Sequence, residues 1–137
     1  MSQENVEIVR RAISHLSETG EPDWELYDPD VVWTTRMDGP AHNIYRGIDG
    51  LRRGTESLRE VWAEIDAEIL EVIDGGDAIV SVLRWRLRAH SGVELETVEG
   101  WVTGMRDGRI SRIEQHAGKR EALEAVGLSE QDAHADS

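Results

Sequence analysis

Apolar positions recur along this chain with two different periods, and the change from one to the other divides it. Val6, Val9, Ile13 and Leu16 follow helical spacing and predict an amphipathic helix over Asn5–Thr19, with Ser2 as its cap and Gly20 and Pro22 as its stop. A short helical turn is expected over Asp23–Tyr27, and Asp28-Pro29-Asp30 punctuates it. Val31–Thr35 then alternates as a strand, with Val31, Trp33 and Thr35 on one face. Arg36–Arg46 reads as a loop holding Gly39-Pro40 and His42. Gly47 opens a second helix through Trp62, with Leu51, Thr55, Leu58 and Trp62 as its buried stripe. Gly50 and Gly54 weaken that helix by about 1 kcal/mol each relative to Ala, which points to something packed closely against them.

Beyond Trp62 the period is two. Ala67–Asp74, Ala78–Ala89, Val93–Met105 and Ile110–His116 are expected strands. Gly75-Gly76-Asp77, Ser91-Gly92 and Arg106-Asp107-Gly108-Arg109 are the turns that join them. In Ala78–Ala89, Ile79, Leu83, Trp85 and Leu87 share one face, and Arg84, Arg86 and Arg88 share the other with Val80 and Val82. The arginines are expected to pair outside with Glu94 and Glu96. A last helix, Arg120–Val126, stops at Gly127. Helix first and a serial antiparallel sheet afterwards indicate an α+β fold. Residues 1–128 form a single expected domain, and 129–137 a polar tail without fixed structure.

Composition narrows the function classes. The 137 residues contain no cysteine, which excludes disulfides and thiolate chemistry. Twenty-eight acidic side chains against fifteen Lys and Arg give a formal charge of −13. Such a chain repels nucleic acid and anionic membranes, so neither is an expected partner. No apolar run reaches the ~18 residues that span a bilayer, and the first residues show no leader pattern. A cytoplasmic location is the expectation. No histidine or carboxylate spacing suggests a metal, and no phosphate-binding or nucleophile-elbow glycine pattern occurs.

The candidate chemistry lies on the strand ending at Met105. Leu95, Thr97, Glu99, Trp101, Thr103 and Met105 share a side, and Trp101 and Met105 argue that this side faces inward. A carboxylate held at Glu99 in apolar surroundings suits general acid–base work. It could equally sit at the rim or pair with an arginine. His116 ends the neighbouring strand and could shuttle a proton beside it, or be a structural histidine. Trp33, Tyr45, Trp62, Trp85 and Trp101, with Thr35 and Thr103, are the expected lining of a pocket for a flat apolar ligand, or else ordinary core.

Several segments together resemble a known family. They are Glu4–Ala12, Asp28-Pro29-Asp30-Val31-Val32-Trp33, Tyr45-Arg46-Gly47, Asp74–Asp77, Arg106–Ile110 and Arg120–Leu128. In this order over residues 3–128 the chain resembles the SnoaL-like polyketide cyclases of the nuclear transport factor 2-like superfamily. The resemblance implies a cone-shaped, strongly curved mixed β-sheet wrapped around N-terminal helices, cystatin-like in outline, with an apolar pocket at the open end. Relatives include polyketide cyclases, ketosteroid isomerases, epoxide hydrolases and dehydratases, which work by acid–base chemistry without metal or organic cofactor. It further implies homodimers and places His116 near the pocket mouth. Where relatives carry Tyr-x-Asp before the last helix, this chain has His116-Ala117-Gly118, so that Asp has no counterpart. Isomerisation, cyclisation, hydration or dehydration of an apolar small molecule by Glu99 and His116 is the leading expectation. A non-catalytic ligand-binding or dimeric accessory domain is the alternative.

Overall fold

The computed structural model describes residues 2–36 and 43–130. Helix α1 (Ser2–Thr19) is followed by a 3₁₀ turn (Trp24–Leu26), β1 (Tyr27–Thr34), β2 (Ile44–Arg46) and α2 (Gly47–Val61). Then come β3 (Trp62–Asp74), β4 (Ala78–Ala89), β5 (Glu94–Arg106), β6 (Arg109–His116) and α3 (Lys119–Ala125). The strands form one curved, open, mixed sheet in the order β2-β1-β6-β5-β4-β3. Only β1 and β6 run parallel; every other pair is antiparallel. The α+β expectation and the curved sheet on N-terminal helices therefore hold. The Ser2 side chain, Gly39-Pro40, His42 and the tail from 131 lie outside the described residues.

The inner face holds the main core. Val9, Ala12 and Ile13 of α1 and Leu51 of α2 pack with Val31, Trp33, Ile79, Leu83, Trp85, Trp101, Ile110 and Ile113 from four strands. The alternation along β1, β4 and β5 sends their residues to one side, as a period of two requires; in β6, Ile110 and Ile113 are three apart and share that side across the register shift between Gly104 and Met105. Ser17 of α1 covers the β3 edge: its hydroxyl accepts from the Ala67 N–H (3.0 Å) and donates to Asp66 Oδ1 (3.1 Å). This satisfies one of the outward N–H groups of that edge.

The boundaries differ from the sequence pattern in three places. Strand β1 starts at Tyr27, and Asp28-Pro29-Asp30 lies within it. Its register runs from Tyr27 opposite Ile110 to Val32 opposite Arg112, so β1 bulges there, which accommodates a proline. The segment Ile44–Arg46, expected as loop, pairs with β1. Trp62 begins β3 rather than closing the α2 stripe, and Leu58 is 37% exposed rather than buried. What α2 buries is Gly50, Leu51, Gly54 and Thr55. The close approach expected at the glycines is real. A Cβ on Gly54 would overlap the Trp33 ring and come within 2.9 Å of Tyr45 Cδ2, and one on Gly50 would lie 3.0 Å from the Tyr45 carbonyl carbon.

Helix α3 folds onto the outer face. Ala122 and Leu123 are fully buried against Ile73, Ala78, Val80 and Val102. Gly100 makes this possible, because a Cβ there would overlap the Gly118 carbonyl and lie 2.9 Å from Ala122 Cβ. Farther along this face, Arg84 bridges Glu68 (3.1 Å) and Glu96 (3.3 Å), and Arg88 pairs with Glu64. The arginine stripe is thus an outward ion-pair ladder.

Candidate functional site

Glu99 stands on the inner face of β5, opposite Leu83 of β4 and flanked along its strand by Thr97 and Trp101. It is the only buried carboxylate among the described residues, at 6% exposure. Burying a carboxylate demands donors, and three side chains supply them, with a fourth orienting one of the three. Trp101 donates its indole N–H to Glu99 Oε1 (3.1 Å), and Gln115 donates its amide to the same oxygen (3.5 Å). The amide of Gln115 is oriented by Trp33, whose indole N–H reaches Gln115 Oε1 (2.8 Å). The second carboxylate oxygen, Oε2, faces Arg36 (Nη1 at 3.4 Å), whose side chain is 49% exposed. Glu99 is therefore both buried and paired to an arginine.

The strand register brings this set together. Trp101 faces Gln115, and Trp33 lies beside Ile113, two residues before Gln115 on β6. Trp85, opposite Thr97, packs its ring 5.2 Å from that of Trp101, and Tyr45 packs 5.2 Å from Trp33. Trp33, Tyr45, Trp85 and Trp101 are thus assembled around the carboxylate network. Trp62 is not; it is half-buried at the start of β3, outside both core clusters. Thr35 is spent on the chain crossing, where its hydroxyl accepts from the Asn43 N–H (2.9 Å). Thr103 and Trp101 line a small cavity of about 30 Å³ with Tyr27 and residues of α1 and β6. That volume holds about one water. Burial, and secondarily the charge of Asp23, pushes the Tyr27 phenol far above its usual range, so it stays a neutral hydroxyl beside this cavity.

His116 does not join Glu99. It pairs in register with Gly100, the residue whose missing side chain makes room for α3, so the imidazole lies on the outer side of the sheet. There its Nε2 meets Glu114 Oε1 at 3.2 Å. The expected Glu99–His116 unit is corrected by this one-residue difference in parity. Two members of the network, Gln115 and Arg36, are not among the residues that the sequence pattern marks. Gln115 shares the inward parity of Ile113, and that was the available signal; Arg36 follows a strand end and carried none.

A curved open sheet closed over helices, with a polar cluster on its concave side, defines the architecture of a small pocket domain. Residues 9–113 match the SnoaL-like domain, and the chain belongs to that family. Among solved structures, a nuclear transport factor 2-like protein of unknown function from Burkholderia pseudomallei is similar, with a TM-score of 0.73 at 20% identity, covering 91% of this chain and 98% of that one. A SnoaL-like polyketide cyclase from Jannaschia sp. matches with a TM-score of 0.70 at 16% identity over 83% and 85%. A protein with a ketosteroid isomerase-like fold from Catenulispora acidiphila, described in complex with trimethylamine, matches with a TM-score of 0.69 at 13% identity over 89% and 93%. At these identities the likeness concerns the fold. No relative matches among curated proteins. No helix of the described residues is long and apolar enough to cross a membrane, and no cluster of three or more potential metal ligands occurs among them.

Proposed function

We propose that this SnoaL-like domain binds an apolar small molecule against the Trp33–Trp85–Trp101 wall and that Glu99 exchanges a proton with it. One observation carries the proposal: Glu99 is buried with one oxygen held by two neutral donors, while the other faces the exposed side through Arg36. A carboxylate fixed in this way has one oxygen oriented in advance and one to work with, which is what general acid–base catalysis needs. Isomerisation, cyclisation, hydration and dehydration all fit such a group. His116 has no part in that step. Binding without turnover is the second reading, favoured by the absence of a second acid or base in the network described.

A panel of small polycyclic ketones, enones and epoxides, followed first by tryptophan fluorescence and then by turnover, tests the proposal. For any compound turned over, Glu99→Gln is expected to lower the rate about a hundredfold or more while the compound still binds within about tenfold. A full rate in Glu99→Gln rejects the catalytic role. Cytoplasmic residence and homodimerisation belong to the same proposal.

A further inference from the structure

Tyr27 and Thr103 bring hydroxyl groups into the interior that bond to nothing around them. Tyr27 is 8% exposed and Thr103 5%, and neither side-chain oxygen has a hydrogen-bond partner among the described residues. A buried hydroxyl without a partner costs free energy, and the large majority of such groups in folded proteins have one. Ser81 Oγ and Trp85 Nε1 are also unpartnered, but they are enclosed by protein on every side. Tyr27 and Thr103 instead border open space: both line the cavity of about 30 Å³ between α1 and the sheet. They approach it from either side of β6, Tyr27 opposite Ile110 and Thr103 opposite Ile113. The rest of the lining is aliphatic except for Trp101, whose indole N–H is already engaged by Glu99. Burial keeps the Tyr27 phenol protonated, so it has a proton to donate as well as lone pairs to offer.

We propose that this cavity is the binding site of one internal water molecule, hydrogen-bonded to Tyr27 Oη and Thr103 Oγ1. A bound water needs room for about one probe sphere, roughly 10–15 Å³ on this measure, and about two to four polar partners. The cavity meets the first condition and the two hydroxyls meet the second. Because the space is so small and both residues border it, one molecule reaches both oxygens. Each hydroxyl both donates and accepts, so the water can take a proton from one and give one to the other. The volume excludes a larger guest, and the hydroxyls set this cavity apart from an apolar void, which stays dry. The site stands independently of any ligand at Glu99, although Trp101 borders the one and donates to the other.

Crystals of the unaltered protein and of two variants, with and without xenon pressure, test this. In the unaltered protein one density peak is expected within about 3.2 Å of both Tyr27 Oη and Thr103 Oγ1, and xenon should stay out. Thr103→Val keeps the outline of the side chain and removes one partner, so the peak should be lost there. The Tyr27→Phe, Thr103→Val double variant leaves no hydroxyl on the cavity wall, and xenon should enter, as it enters engineered apolar cavities. An empty cavity in the unaltered protein overturns the proposal, and so does xenon bound there. A direct hydrogen bond between the two hydroxyls, with no peak between them, overturns it as well. A peak of undiminished strength at the same place in Thr103→Val means that Thr103 is not a partner, and it counts against the proposal. If the double variant does not fold, the unaltered protein and Thr103→Val decide.

Discussion

Asp28 lies in the bulge of β1 and accepts two hydrogen bonds from Arg106 at the end of β5, at 2.9 Å and 3.2 Å. The hydrogen bonds from Arg106, then that from the Asp30 N–H, lower its pKa below the ordinary carboxylate value. A lowered folded-state pKa contributes stability that is present above the unfolded value and is lost as pH falls through the folded one. Arg106→Gln should therefore melt at a lower temperature than the unaltered chain at neutral pH. The gap should hold down to about pH 4 and close below it, as Asp28 protonates in both proteins. Thermal melts at a series of pH values check this, and a gap that widens on acidification would contradict it. At the same scale, Glu99 was legible in the sequence because parity alone put it beside Trp101 on an inward face. Its network was not legible. Gln115 reaches Glu99 only through the β5–β6 register, and Arg36 only through the path of the chain after β1. His116 shows the same limit from the other side: a position one residue along a strand reverses the face.

The elements that could be read were those with a strong period. Helix α1, β4, β5 and β6 bury one continuous stripe or face, and their apolar positions say so. Strand β2 is three residues long with two of them exposed, so no alternation announces it; pairing with β1 creates it. The first part of β3 is an edge with alternating acids and apolar residues, and the helix before it runs into it without a break in pattern. Gly50 and Gly54 were the informative positions in α2, since a cost in helix propensity signals a gain elsewhere. That gain can be measured. Gly54→Ala replaces glycine with a residue favoured by about 1 kcal/mol in a helix interior. In this protein the added methyl would strike the Trp33 ring and crowd Tyr45. Overpacking of a filled core costs about 1–3 kcal/mol, so after the helix gain of about 1 kcal/mol the variant should be less stable by up to about 2 kcal/mol net. Urea unfolding gives the value, and a rise in the midpoint would mean that α2 can move away from Trp33.

For the whole molecule, the open question is what meets the outer face of the sheet. Val80, Val82, Val98 and Val102 share that face, and apolar residues on the outside of a sheet need cover. Helix α3 supplies part of it, because Val80 and Val102 are buried beneath Ala122 and Leu123. These two valines therefore need no partner chain. Beyond α3 the cover ends. Leu70 on β3 and Val98 on β5 remain 40% and 42% exposed on either side of β4, beside the buried Val82. The Arg84–Glu68–Glu96 ladder borders them, so the apolar strip has a charged rim of both signs. A self-complementary strip of this kind suits a two-fold contact between copies, with arginines of one facing glutamates of the other. A dimer at micromolar concentration is the expected state, with a mass about twice the 15.4 kDa of the chain by light scattering. Val98→Asp is the better test than a change at Val82, which is buried and would perturb the fold itself. Val98 is exposed in the single chain, so a charge there should leave the melting behaviour of the monomer within about 0.5 kcal/mol and shift the mass toward 15.4 kDa. A monomeric mass for the unaltered protein would reject the dimer. A dimer that persists in Val98→Asp would move the contact away from this strip, because burying an unpaired carboxylate at its centre is too costly to leave association unchanged.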